Sequence, residues 1–231
     1  MKVDIGVIGA LSEEVSGLIS KLESHESEII GGIEFHVGML MGKRVAIAKC
    51  GVGKVFAAMC AQAMIIRYSP RLIVNSGVGG ALDRTLSTGD IVIADKLCQH
   101  DMDTSPLGDP KGLISGINVI YMESDKRAVD ILISAANTYS FNVMRGTVAS
   151  GDRFIASADD KCNITDEFGA VACEMEGAAI AHVAYVNKTP FVVVRAISDS
   201  ADGEATMDYM SFLPIASQRS AALTLDLIKN Y

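Results

Sequence analysis

The chain has 231 residues, 49% of them hydrophobic and 21% charged, with a formal net charge of −8. That length suits one α/β domain spanning 1–231, and the apolar share excludes a disordered chain. The negative balance offers no footprint for a nucleic-acid backbone or an anionic membrane, while Asp4 and the lack of an apolar run of about 18 residues argue against a signal peptide or membrane span, so a cytoplasmic location is expected.

Along the chain, residues 3–8 read as a buried strand closed by Gly9, and Ser12 as the cap of a following helix. Gly31-Gly32 and Met41-Gly42-Lys43 punctuate an antiparallel pair over 33–40 and 44–49, and a helix follows over about 55–68. Residues 71–75 form a buried strand that runs into a glycine-rich turn, Ser76-Gly-Val-Gly-Gly80, where a backbone can approach a ligand closely. The longest candidate loop, 100–117, carries Pro106 and Pro110 and is placed to cover a site. A strand at 118–122, a helix at 125–139, a strand at 143–149, a helix at 175–186, a strand at 191–197 and an amphipathic helix at 210–229 complete the alternation. The pattern predicts a mixed, mostly parallel central sheet flanked by helices, with ligands beyond the carboxyl ends of the strands.

Five cysteines, at 50, 60, 98, 162 and 173, show neither a close pair nor ligand spacing, so they are expected in the core, and no metal site is expected, at Cys98-Gln-His100-Asp101 or elsewhere. Two glycine clusters fail as nucleotide loops. Gly51-Val-Gly53 meets Phe56 where a dinucleotide fingerprint needs glycine, and Gly53-Lys54 lacks both the earlier glycine (Ala48) and the following hydroxyl (Val55) of a phosphate loop. The cluster at 77–80 likewise meets Leu82.

Several acids have two readings each. Glu13-Glu14 suits a first helical turn, as does Glu174-Met175-Glu176, although acids entering an apolar stretch must face solvent or find a partner. Asp199 ends an apolar strand where such sheets place their chemistry, yet with Ser200 it also suits a helix cap. Arg195 lies within that strand and requires an acidic partner, for which Glu14, Glu174 and Glu176 are the candidates.

The segments Ile8-Gly-Ala-Leu-Ser-Glu-Glu-Val15, Asn75-Ser-Gly-Val-Gly-Gly80, Ser150-Gly-Asp-Arg-Phe-Ile155, Glu174-Met-Glu-Gly-Ala-Ala-Ile-Ala-His182 and Val192-Val-Val-Arg-Ala-Ile-Ser-Asp199 resemble, in order and over nearly the whole chain, the bacterial 5'-methylthioadenosine/S-adenosylhomocysteine nucleosidases. The resemblance implies a nucleoside phosphorylase-like three-layer sandwich that hydrolyses the N-glycosidic bond of a small purine nucleoside in methionine salvage and methyl-cycle recycling, with no metal or organic cofactor. It implies Glu14 as the base that activates water and Asp199 as the acid that protonates the leaving purine. Phe154 then stacks on the base and Ile155 offers it backbone groups, Met175 and Glu176 contact the ribose, Gly80 contacts substrate, and Arg195 and Glu174 support the site. Val52, Val78 and Ser198 fall among the substrate-binding positions. Val78 stands where some relatives carry serine, and Tyr209 where many carry phenylalanine against the 5' substituent. A homodimer is implied, with the 100–117 loop reaching the neighbouring site.

Related phosphorylases hold phosphate with arginines near the first strand and the central glycine loop, where this chain has Leu11-Ser-Glu-Glu14 and Asn75. Acids there repel phosphate and suit water, so hydrolysis is expected over phosphorolysis. An acid working near neutral pH must also be kept protonated, by burial or by a neighbouring negative charge. The competing readings are a futalosine-type nucleosidase, a purine nucleoside phosphorylase and a non-catalytic nucleoside-binding module.

Overall fold

The computed structural model describes residues 2–199 and 205–231. In chain order the elements are β1 (Ile5–Gly9), α1 (Ser12–Ile19), β2 (Glu23–Ile30), β3 (Ile33–Leu40), β4 (Lys43–Lys49), α2 (Lys54–Tyr68), β5 (Leu72–Ala81), β6 (Ile91–Gln99), a 3-10 turn (Ser105–Leu107), β7 (Met122–Glu123), α3 (Lys126–Ala136), β8 (Val143–Ser150), α4 (Ala158–Phe168), β9 (Ala170–Glu174), α5 (Gly177–Val186), β10 (Phe191–Asp199) and α6 (Ala205–Asn230).

The strands form one mixed sheet ordered β10-β6-β8-β9-β5-β1-β4-β3-β2, with β7 on β6 and a further pairing of β10 with β5. β1 lies parallel between β4 and β5, and β10 runs parallel to β5 from Phe191 opposite Ile73 to Asp199 opposite Gly80. Successive side chains of a strand point to opposite faces, and this alternation sorts the core into two layers. Ile5 and Val7, Val45 and Ile47, and Val192 and Val194 face α1, α3 and α6, while Ile8, Ala46 and Val193 face α2 and α5. The result is the expected three-layer sandwich. Among the described residues no helix is long and apolar enough to cross a membrane.

The β2–β3 and β3–β4 hairpins turn at Gly31-Gly32 (φ 59° and 81°) and Met41-Gly42 (φ 49° and 75°). Positive φ at both central residues matches the right-handed twist of the flanking strands and makes two-residue connections possible.

Several sequence expectations change. The glycine-rich segment 76–80 is not a turn but the second half of β5, buried throughout. The strand expected at 118–122 contracts to Met122–Glu123, and β2, β6, β9 and α4 were not anticipated. The cap of α1 is Leu11 rather than Ser12, α5 begins at Gly177 rather than 175, and α6 begins at Ala205. Four cysteines are buried as expected, but Cys162 is exposed. Asp199 closes β10, and Ser200, with the segment that a cap would start, lies outside the described residues.

Candidate active site

The carboxyl ends of β1, β5, β8, β9 and β10 converge, as ligand-binding edges of open α/β sheets do, and enclose a pocket of about 550 Å³ counted out to its mouth.

Glu14 enters from the first turn of α1. It is buried, its Oε2 accepts from the backbone N–H of Ala10 (2.6 Å) and Leu11 (3.0 Å), and its Oε1 accepts from that of Val78 (3.0 Å). Burial raises its carboxyl above the ordinary value, opposed by the charge of Arg195 and by those three N–H groups. The glycines of β5 make this placement possible. A Cβ at Gly77 would run into Glu14 Oε1 and Arg195 Nη1, and one at Gly80 would stand 2.8 Å from Asp199 Oδ2. These glycines therefore clear space for charged side chains within a strand. Val78 gives the pocket an apolar wall, while its backbone N–H holds Glu14.

Arg195, 1% exposed, lies behind the pocket rather than on its wall. Its Nη2 donates to Glu174 Oε2 and Asn75 Oδ1, and it stands 3.9 Å from Glu176 Oε2. Burial alone would weaken the guanidinium's hold on its proton, but Glu174, Glu176 and Glu14 outweigh it and keep the group charged. Glu174 thus has the partner the sequence required, and it also accepts from Ser150 Oγ and from the backbone N–H of Glu176 (3.0 Å) and Gly177 (2.7 Å) at the head of α5.

Glu176 lines the pocket, with Oε1 accepting from Gly53 N–H at 2.8 Å. Burial, and after it the neighbouring Glu174, push its carboxyl from 4.5 up to about 7. A carboxyl raised on folding binds its proton more tightly in the native state, so its stabilising contribution is full below about pH 4.5 and is lost as the pH rises toward 7. Glu176→Gln removes this titration, and its thermal melting temperature should fall less than the wild type's between about pH 5 and pH 8. Equal falls in the two proteins would contradict the assignment.

Asp199 and Ser198 close the pocket at the end of β10. Ser198 Oγ donates to Asp199 Oδ1 at 2.9 Å, and the ammonium of Lys161 lies 3.6 Å from Oδ2 with both side chains almost wholly buried. The sequence reading expected burial or a negative neighbour to hold Asp199 protonated. Burial is present, and the charged neighbour at this distance is a cation.

Phe154 and Ile155 follow β8 on the pocket wall, with Phe154 half exposed and edge-on to Tyr209 at 5.7 Å between ring centroids. Met175, Gly80 and Val52 complete the predicted lining. The structure therefore brings every predicted site residue to the pocket wall except Arg195, which backs it. Sequence reasoning missed Lys161 and Asn75. Lys161 shares the buried face of α4 with Ile164 and Phe168 at helical spacing, a signal hidden because Asp159-Asp160-Lys161 reads as a solvated charge run. Asp101, weighed as a metal ligand, is paired with Lys54 at 2.6 Å.

The sequence profile of the phosphorylase superfamily matches residues 4–229. Among solved structures the chain is similar to the 5'-methylthioadenosine/S-adenosylhomocysteine nucleosidase of Neisseria meningitidis in complex with methylthio-immucillin-A (33% identity, 99% of each chain covered, TM-score 0.95). It is also similar to the S-adenosylhomocysteine nucleosidase of Streptococcus pyogenes in complex with 5-methylthiotubericidin (33% identity, 99% of this chain and 97% of the other, TM-score 0.95). A third similar structure is the futalosine hydrolase of Helicobacter pylori (33% identity, 99% of this chain and 98% of the other, TM-score 0.94).

Proposed function

The chain belongs to the phosphorylase superfamily, and from that premise we propose that it is a nucleosidase that hydrolyses the N-glycosidic bond of 5'-methylthioadenosine and S-adenosylhomocysteine. The observation that carries this reading is the pair of buried carboxylates, Glu14 and Asp199, on the wall of one pocket. Cleavage of a ribosyl bond leaves an oxocarbenium-like sugar and an electron-rich purine, and an acid on the base with a base on the water answers both demands. Asp199 gives a proton to the leaving purine, and Glu14, fixed by three backbone N–H groups, takes one from the attacking water. Glu176 receives the sugar hydroxyls over Met175, Phe154 stacks on the base above Ile155, and Gly80, Val78, Val52, Ser198 and Tyr209 fill the remaining wall.

Water is favoured over phosphate as the nucleophile because an anion entering beside Glu14 meets a carboxylate, and Arg195 is already engaged by Glu174 and Asn75. Adenine release should therefore proceed at full rate in phosphate-free buffer and yield free 5'-substituted ribose. Strict dependence on phosphate with a ribose 1-phosphate product would replace this reading by phosphorolysis. A panel of methylthioadenosine, adenosylhomocysteine, 5'-deoxyadenosine and futalosine, assayed for free base, separates the substrates, since the 5' end of the pocket distinguishes them.

The role in methionine salvage and methyl-cycle recycling, a cytoplasmic setting and a homodimer belong to the same reading. The dimer is supported by the exposed apolar side chains of Val52, Val55, Phe56 and Met59 beside the pocket, and of Leu107 in the 100–117 segment.

A further inference from the structure

Resting on the nucleosidase reading, we propose that Asp101 is a positioning residue that ties together the two loops between which the nucleoside is received. One loop, residues 50–53 between β4 and α2, presents Val52 to the pocket and donates the Gly53 N–H to Glu176 Oε1 at 2.8 Å. The other, residues 151–157 between β8 and α4, presents Arg153, Phe154 and Ile155. Gly51 and Gly53 stand at φ 95° and 99°, left-handed backbone that glycine adopts freely, so the first loop takes its shape from what ties it. On one side the N–H groups of Cys50 and Gly51 donate to the carbonyls of Gly9 and Ala10 at 2.9 and 3.2 Å.

Asp101, two residues beyond the end of β6, supplies the tie on the other side. Its Oδ1 accepts from the ammonium of Lys54, the first residue of α2, at 2.6 Å, and its Oδ2 accepts from the backbone N–H of Asp152 at 2.9 Å. Asp152 Oδ1 in turn accepts from the backbone N–H of Lys54 at 2.7 Å. The three residues close a ring of hydrogen bonds, and Lys54 Nζ anchors it to β6 by donating to Gln99 Oε1 at 3.2 Å. Burial alone would raise the Asp101 carboxyl, but the Lys54 ammonium and the Asp152 N–H outweigh it and hold the carboxyl below its ordinary value, so both oxygens remain acceptors.

The Lys54 and Asp101 side chains are 19% and 24% exposed, and a partly exposed ion pair adds little to global stability. The consequence of the ring is local. It sets how far Val52 and Gly53 stand from Phe154, and through Gly53 it fixes where Glu176 Oε1 is held. A wall of this kind acts on substrate and transition state alike, so its loss raises KM more than it lowers kcat.

Two variants test this with methylthioadenosine as substrate. Asp101→Asn keeps the size of the side chain but leaves one oxygen to serve two donors. Lys54→Met removes the ammonium and keeps the backbone N–H that donates to Asp152. In Asp101→Asn, KM should rise about tenfold, the scale of one lost charge-assisted hydrogen bond, with kcat within about threefold of the wild type. The melting temperature should stay within about 3 °C. Amide hydrogen exchange should quicken at residues 51–54 and 151–157 and stay unchanged in β1 and β5. Combining the two substitutions should raise KM no further than the more severe single change, because both break the same ring. A folded Asp101→Asn with wild-type KM, or with wild-type exchange in both segments, overturns the proposal. So do a loss confined to kcat, KM effects that multiply in the double variant, and exchange that quickens throughout β1 and β5. If Asp101→Asn does not fold, Lys54→Met decides by the same readouts. A wild-type protein that releases no base from any purine nucleoside overturns the nucleosidase reading, and exchange in the variants then still decides whether Asp101 ties the loops. An active wild type with unaffected variants overturns only the role of Asp101.

Discussion

Asp199→Asn should lower kcat for adenine release by at least about 100-fold while leaving the fold intact, and Glu14→Gln should do the same. The amide retains the size and hydrogen-bonding reach of each carboxyl but cannot pass or accept a proton. At position 199 it can still accept from Ser198; at position 14 its single oxygen keeps either the Ala10 and Leu11 N–H groups or that of Val78, and its NH2 faces the remaining donor, so this change also weakens local hydrogen bonding. The losses should appear in kcat rather than KM, because acid and base act most strongly on charge that develops in the transition state. Single-turnover adenine release, with circular dichroism to verify folding, measures both. Turnover within about threefold of the wild type in either folded variant would remove that residue from the proposed pair.

The second large effect is on stability. Arg195→Met should destabilise the protein by about 3–5 kcal/mol, because it leaves Glu174 as a buried carboxylate without its counter-charge and Glu176 with like charges beside it. Asn75 also loses its donor partner, although its amide still donates to the Ile8 carbonyl at 2.9 Å. Combining Arg195→Met with Glu174→Gln should recover part of the loss, since the uncompensated charge and not the missing guanidinium is the main cost. Urea unfolding of the two variants reads this directly. A single variant within about 1 kcal/mol of the wild type would contradict this cost of an uncompensated buried charge.

Much of this site was legible in the residues. The apolar run of β10 ending in Asp199, the acids after β1 and at the head of α5, and the need of Arg195 for an acidic partner are local statements, and each holds in the fold. The glycine segment 76–80 shows the limit of such reading. Locally it resembles a turn, because glycine is permissive and has no side chain to pack, and only neighbours distant in sequence decide otherwise. Here β10 pairs along it and the side chains of Glu14, Arg195 and Asp199 occupy the space its missing Cβ atoms leave, so it extends as strand.

The sequence by itself determined most of the alternation of strands and helices, because hydrophobic period acts over short spans, whereas the two candidate carboxylates stood out through the family resemblance, their local signals fitting a first-turn acid and a helix cap as well. Tertiary structure alone decided which acid meets Arg195, and it alone set Lys161 against Asp199. Those pairings join residues 21 and 38 positions apart in sequence. They depend on the register in which β9, β10 and α4 come together, and burial then converts a surface-like charge into a strong and specific partner.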